Sequence, residues 1–197
     1  MIPRQFLIAV AVMAAVAVGI SFYAWHMRGG VVRNEAAASA QPVAPPVTGP
    51  TEQVMLYVAY DDDGSLRARA AHIPLPAGRQ QRAEELLRAL LNVYFDKDSP
   101  HPLGTGSEIR GVYLVDPGLA VIDLNSAFAD QHRSGVLVEE LTIASLIQTV
   151  TANIPGITRA KILVNGEERD TLAGHADLTN FYDAAAVTQL VSQLQGQ

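Results

Sequence analysis

The sequence predicts an α/β (α+β) domain in which a small mixed or antiparallel sheet is covered by two helices, with the element order β-β-α-β-β-α-β. Three observations predict it. The stretch from Ile109 to Leu124 has two short apolar runs around Asp116-Pro117-Gly118, which is turn chemistry. A helical periodicity lies on each side of this hairpin, over 80–94 and 136–153. Strand-like runs precede the first helix and follow the second.

Two strands open the domain. The run Val54–Tyr60 and the alternating run Leu66–Ile73 flank Asp61-Asp62-Asp63-Gly64, and this pattern predicts a hairpin. The three aspartates do not complete an EF-hand loop, because the twelfth position holds His72 in place of glutamate. We therefore expect a hairpin tip of solvated acids rather than a calcium site.

The two helices differ in how much of their surface is apolar. In the first, apolar residues repeat at the spacing of one amphipathic face: Ala83, Leu86, Leu87, Leu90, Leu91 and Tyr94. The second, 136–153, has a wide apolar face and a narrow polar stripe that begins with Glu139, Thr142 and Ser145. So wide an apolar surface is either deeply buried or partly reserved for a partner.

After the second helix the chain returns to the sheet. Asn153-Ile154-Pro155-Gly156 ends the helix, and Ala160–Val164 predicts a strand. Asn165-Gly166 predicts a type I′ turn. The charged stretch Glu167–Leu172 is expected to return as a short edge strand.

An uncharged run of 20 residues, Phe6–Trp25, precedes the domain. As a helix it spans roughly 30 Å, the thickness of a bilayer core, so it predicts a membrane anchor. The alternative is a cleaved signal peptide, with Ala38-Ser39-Ala40 as the cleavage site. Small residues recur at every fourth position, at Ala11, Ala15 and Gly19. This spacing would let two such segments pack closely and form a homo-oligomer, although an alanine-rich composition by itself also explains it.

These patterns divide the chain into four parts. They are a membrane anchor over 1–28, a Pro/Ala-rich linker over 29–52, the folded domain over 53–180 and a C-terminal helix over 181–197. Basic residues are nearly balanced on the two sides of the anchor and do not orient it by themselves. The short N-terminal tail and long acidic remainder favour a single-pass protein of the cytoplasmic (inner) membrane with its bulk outside the cytoplasm.

Composition excludes several function classes. The chain has no cysteine, which rules out disulfides, zinc–thiolate sites, thiol nucleophiles and a lipid-modified N-terminal cysteine. The formal net charge is −6, and an acidic domain repels nucleic acid phosphates. We predict no nucleic acid partner, no cofactor and no metal.

Four residues are candidates for a functional or a turn-locking role: Asp123, Gly174, His175 and Asp177. Asp123 ends a predicted strand, where a carboxylate either serves catalysis or binds loop amides. On a strand, His175 and Asp177 would face the same side, but two such residues do not make a metal site, and hydrogen bonds that lock a turn are the alternative. The other histidines of the domain show no ligand spacing.

From Val54 to about Leu178 the chain resembles the GerMN domain, the sporulation and spore-germination family of bacterial envelope proteins. The resemblance rests on the order of several motifs: Leu56-Tyr57-Val58, Glu84 to Leu91, Gly111-Val112, Val121 to Phe128, Glu139-Glu140, Asn153 to Ile157, Ile162 to Glu167, and Leu172 to Leu178.

The resemblance implies an α/β envelope domain outside the cytoplasmic membrane, without family-defined catalytic residues. It supports the outside orientation and predicts a non-enzymatic binding or assembly module whose partners are envelope proteins or peptidoglycan. Two alternatives are open. A cell-wall-processing enzyme or its regulatory domain requires Asp123, His175 and Asp177 in one cleft. A ligand sensor requires a sizeable apolar pocket between sheet and helices.

Overall fold

The computed structural model describes residues 49–115 and 117–195, where six strands and four helices form a mixed α/β fold. The order is β1 Thr51–Tyr60, β2 Ser65–Pro74, α1 Arg79–Tyr94, β3 Ile109–Val115, β4 Leu119–Leu124, α2 Ser126–Asp130, α3 Val136–Asn153, β5 Arg159–Val164, β6 Tyr182–Asp183 and α4 Ala184–Gln195. The predicted element order is present within this series, with α2, β6 and α4 in addition.

The strands of the described region form two sheets. Strands β1 and β2 pair antiparallel as a sheet of their own. The other sheet has the order β3-β4-β5-β6, in which β4 and β5 are parallel and the outer pairs antiparallel. Helices α2 and α3 lie between β4 and β5 in the chain, as a parallel pair requires a crossover connection. The prediction of one sheet was therefore wrong.

The physical reason lies at the outer edge of β1, where helix side chains take the place of a neighbouring strand. Asn153 accepts the Met55 N–H at 3.2 Å and donates to the Met55 carbonyl at 2.7 Å. Thr149 Oγ1 accepts the Tyr57 N–H at 3.0 Å, and Ser145 Oγ donates to the Tyr57 carbonyl at 2.7 Å. These α3 residues stand four positions apart and so lie along one side of the helix.

The same edge is completed by α1. The hydroxyl of Tyr94 accepts the Ala59 N–H at 2.9 Å and is hydrogen-bonded to Ser145 Oγ. Burial raises the pKa of the Tyr94 hydroxyl, so it stays protonated and able to donate to Ser145. With its backbone groups satisfied in this way, β1 needs no further strand at this edge.

One continuous cluster of buried apolar side chains joins the two sheets to α1 and α3. Its large members include Leu56, Leu87, Ile122, Phe128 and Leu146, all buried. Helix α3 is buried on every side from Leu141 to Val150, so its wide apolar surface belongs to the core. Helix α4 adds Val187 and Val191 to the same cluster.

The chain after β5 follows one prediction and departs from another. Asn165 and Gly166 have φ of 55° and 77°, as the predicted type I′ turn demands. Glu167–Leu172, in contrast, forms no strand and makes only isolated bridges, Val164 with Glu167 and Thr171 with Asp177. Its backbone bonds instead to nearby backbone groups: Glu167 pairs with Val164, the Leu172 N–H donates to the Ala176 carbonyl, and the Asp170 carbonyl accepts the Leu178 N–H.

The predicted membrane anchor (1–28, including Phe6–Trp25) and most of the 29–52 linker lie outside the described residues, and so does Asp116. Over 49–115 and 117–195, no helix has both the length and the apolar character of a bilayer span.

We predict that Thr149→Val lowers the free energy of unfolding by about 1–3 kcal/mol, because the Tyr57 N–H loses its acceptor while the side-chain volume is kept. Urea unfolding of the full-length protein measures this. Thr151→Val is the matched control on the same helix, since the Thr151 hydroxyl bonds only the Gln148 carbonyl, at 3.4 Å. Equal losses in the two variants would contradict the role given to Thr149.

Candidate functional site

The buried carboxylate of Glu139 in α3 holds the segment that carries three of the candidate residues. We call residues 165–180 the closing segment. Glu139 Oε2 accepts the backbone N–H groups of Ala173, His175 and Ala176 at 3.0, 2.9 and 2.9 Å. Its Oε1 lies 2.9 Å from His175 Nδ1 and accepts the Gly135 N–H at 3.1 Å. One carboxylate therefore fixes the turn around Gly174 to the N-terminal end of α3.

The electrostatics of Glu139 follow from these contacts. Burial by itself raises the pKa of the carboxyl, but the hydrogen bonds from the Ala176 N–H, the His175 ring and the other loop amides outweigh it and lower the pKa from its ordinary 4.5 to about 2. The side chain is 0% exposed and yet ionised, because several donors replace its water.

The His175 ring does not have the geometry of a hydrolase triad. Its Nδ1 faces Glu139, and Ser134 Oγ approaches the same nitrogen at 3.3 Å. A nucleophile and an acid must contact opposite ring nitrogens for the imidazole to pass a proton between them. Gly174 has φ of +119°, a conformation that side chains disfavour, and it permits the turn that presents the three amides.

Asp177 acts on its own turn. Its Oδ1 accepts the Thr179 N–H at 2.7 Å and the Thr179 hydroxyl at 2.6 Å, and Oδ2 accepts Asn180 Nδ2 at 2.7 Å. The Thr179 hydroxyl lowers the pKa of this exposed carboxyl. His175 lies in a bend, so the strand expected to carry His175 and Asp177 is not formed, and the two side chains bind separate partners, Glu139 and Thr179.

Asp123 lies at the other end of the closing segment. Its Oδ1 accepts the Gly166 N–H at 2.7 Å, and its Oδ2 is 3.2 Å from Arg110 Nη1. The side chain is buried in β4. It binds a loop amide at the Asn165-Gly166 turn, whereas Asp177 binds Thr179 and Asn180, so the two carboxylates serve separate turns.

A buried lysine that the sequence analysis passed over also fastens this segment. Lys161 Nζ donates to the carbonyls of Leu178 at 3.0 Å and Thr179 at 2.6 Å, and it lies 3.0 Å from Glu168 Oε1. The signal was a lysine in the middle of the apolar strand β5, since a lysine is seldom buried without partners.

The structure also unites two histidines that had seemed scattered. His101 Nε2 and His132 Nε2 each lie 2.7 Å from Thr142 Oγ1, inside the protein. His101 Nδ1 lies 2.6 Å from Asp61 Oδ1, so Asp61 is not the solvated acid that we expected. Within 49–115 and 117–195, no group of three or more His, Asp or Glu residues is arranged to hold a metal ion.

An apolar surface is exposed on the outer side of the larger sheet. Tyr113 and Val115 of β3 are 49% and 47% exposed, and they stand beside half-buried Val121 and Leu119 of β4. Strand β3 ends the sheet, and no described strand pairs with its outer edge. We call this combination of Tyr113, Val115 and the free edge the β3 surface.

A family model described as "Germane: Sporulation and spore germination" matches residues 55–170, more than half of the chain. The chain belongs to this family of GerMN domains, which confirms the resemblance seen in the sequence. A search of curated proteins gave no significant match.

Solved structures with similar folds have low sequence identity to this chain. A candidate lipoprotein from Clostridium perfringens is 22% identical, with a TM-score of 0.47 over 72% of this chain and 92% of that one. The first GerMN domain of the sporulation protein GerM from Bacillus subtilis is 16% identical, with a TM-score of 0.45 over 66% of this chain and 94% of that one. The tandem GerMN domains of the same protein are 19% identical to this chain, with a TM-score of 0.46 over 66% of this chain and 44% of that one.

We predict that the stability of the domain falls as the pH decreases from 4.5 towards 2, and that Glu139→Gln removes much of this decline. A carboxyl whose pKa is lower in the folded state stabilises that state above its unfolded pKa, and the effect is lost as it is protonated. The lowering of the Glu139 pKa from 4.5 to about 2 corresponds to a contribution of about 3 kcal/mol to the free energy of unfolding. Urea unfolding at several pH values measures it.

Glu140→Gln is the control for that prediction, because Glu140 is the next residue on α3 and is exposed. It should keep the pH dependence of the unaltered protein. A Glu139→Gln variant with the same pH dependence as the unaltered protein would show that the ionised Glu139 carboxylate does not stabilise the folded domain through the closing segment.

Proposed function

We propose that this chain is a membrane-tethered GerMN module of the bacterial cell envelope that binds another protein outside the cytoplasmic membrane and catalyses no reaction. Family membership supports a role in sporulation, germination or a related envelope process. The uncharged run Phe6–Trp25 supports the tether.

The observation that carries the proposal is the contrast between the polar candidates and the β3 surface. The carboxylates of Asp123, Glu139 and Asp177 accept hydrogen bonds from backbone or side-chain groups of the same chain. Side chains already bound in this way are poorly placed to act on a substrate. Tyr113 and Val115, in contrast, remain exposed beside an unpaired strand edge.

A polypeptide suits the β3 surface better than a glycan does. The edge of a sheet presents alternating N–H and C=O groups, which an extended chain matches residue by residue. Tyrosine supplies large contact area together with a hydroxyl, as is common at protein interfaces. We therefore place the contact of this module with its partner protein at β3.

The ligand-sensing alternative has less support. An open groove of about 410 Å³ has Gln148, Thr151, Thr188 and Asp183 in its lining. It is lined by α3, α4, the loop before β5 and Asp183 of β6, and it is open rather than enclosed between sheet and helices. The alternative requires a sizeable apolar pocket in the sheet–helix interface.

The test is crosslinking in living cells, with a photoreactive amino acid in place of Tyr113 in the full-length protein. We expect one dominant protein adduct, identified by mass spectrometry. The matched control places the same amino acid at Leu75, which is also 49% exposed but follows β2. Equal adducts at both positions, or adducts to wall fragments alone, would overturn the proposal.

A further inference from the structure

Two loops meet at a single hydroxyl in the interior. Thr142 Oγ1 of α3 receives His101 from the loop after α1 and His132 from the loop after α2. His101 in turn contacts Asp61, which follows β1. His101 and Thr142 are 1% and 0% exposed and His132 is 8% exposed, so the contacts are shielded from bulk water.

The partners of the two Nδ1 atoms determine where the ring protons lie. His101 Nδ1 is 2.6 Å from a carboxylate oxygen of Asp61, and His132 Nδ1 is 2.8 Å from the Arg133 carbonyl. Both partners only accept hydrogen bonds, so each Nδ1 must carry the hydrogen. In a neutral imidazole the Nε2 is then without one.

The two Nε2 atoms therefore compete for one hydrogen. Each lies 2.7 Å from Thr142 Oγ1, and a threonine hydroxyl has a single hydrogen to donate. With both rings neutral, one of the two contacts joins a bare nitrogen to a bare oxygen lone pair. A buried contact of that kind is costly, because neither atom has water to turn to.

One added proton allows both Nε2 atoms to form a hydrogen bond with the Thr142 hydroxyl. If a proton from the solvent binds one Nε2, that N–H donates to Thr142 Oγ1, and the hydroxyl donates to the other Nε2. The hydroxyl then gives up the Val138 carbonyl, at 3.0 Å. A second proton would place two cations on one hydroxyl, with ring centroids 6.1 Å apart. We infer that His101, Thr142 and His132 form a single buried proton-binding site, which takes up one proton for the pair.

The groups around the site act on it in both directions. The carboxylates of Asp61 and Glu139 favour the proton, while the guanidinium of Arg133 opposes it. Tyr94 of α1 meets the edge of His101, and Phe128 of α2 stacks on His132, so apolar surface covers both rings.

Burial is the largest influence on the two rings, and it lowers the pKa of both His101 and His132. The shared proton is consequently taken up below the ordinary range of histidine. The site joins the β1–β2 turn, the loop before β3 and the loop before α3. Its protonation state therefore affects hydrogen bonds that connect all three segments. It is independent of the β3 surface and of the partner proposed there.

The test is nuclear magnetic resonance of the full-length protein in detergent micelles, with ¹³C,¹⁵N-labelled histidine and a pH titration. We expect both rings to carry the hydrogen on Nδ1 at neutral pH. On acidification, the signals of His101 and His132 should shift together in one step that adds one proton to the pair. Two rings that each take up a full proton independently, or no uptake before the domain unfolds, would overturn the inference.

Two variants separate a shared proton from two ordinary buried histidines. Thr142→Ser keeps the hydroxyl and should keep the common step, whereas Thr142→Val removes it and should leave the two rings with separate midpoints. Asp61→Asn should move the common step about one pH unit lower, because it removes the carboxylate beside His101. If Thr142→Val does not fold, the comparison of Asp61→Asn with the unaltered protein still decides, since an unmoved step contradicts the site.

Discussion

The buried polar stripe of α3 is the constraint on which the rest of the domain depends. Its members are the buried Glu139, Thr142, Ser145 and Thr149 and the half-buried Asn153, which stand three or four residues apart on one side of the helix. Glu139 holds the closing segment, Thr142 holds two loop histidines, and the other three satisfy the edge of β1. Since each buried group needs a partner, the stripe fixes where four separate parts of the chain lie: the closing segment, the loops of His101 and His132, and β1.

This arrangement explains why the polar candidates look like a site without having the geometry of one. Asp123 and Asp177 stand near tight turns because their carboxylates accept backbone N–H groups there, and His175 stands near one because its N–H and its ring bind the Glu139 carboxylate. A turn at Gly174 needs donors and acceptors to hold it, and those are the residue types that catalysis uses. At the β3 surface, in contrast, Tyr113 and Val115 are exposed beside a strand edge that no described strand pairs with.

Local signals in the sequence predicted much of the fold. The helix predicted over Val136–Asn153 has those bounds in the structure, and the Asn165-Gly166 turn has the expected positive φ at both residues. Each depends on side-chain periodicity or on backbone preferences within a few residues.

The separate sheets and the histidine site could not be predicted in the same way. The edge of β1 is occupied by side chains of α3 that lie 88 to 98 residues later, and no short pattern records such a pairing. His101 and His132 meet only because two loops are folded onto Thr142. The polar stripe itself was visible, but a polar face on a helix is usually solvated, so its inward orientation had no local signal.

Hydrogen exchange of single backbone amides tests the central role of the α3 stripe most directly. The Tyr57 and Ala176 N–H groups bond only side chains of that stripe, Thr149 and Glu139. The account predicts that both amides exchange as slowly as those paired between β4 and β5 in the core, because all are released by the same global unfolding. Rapid exchange of Tyr57 and Ala176 beside protected β4 amides would contradict it.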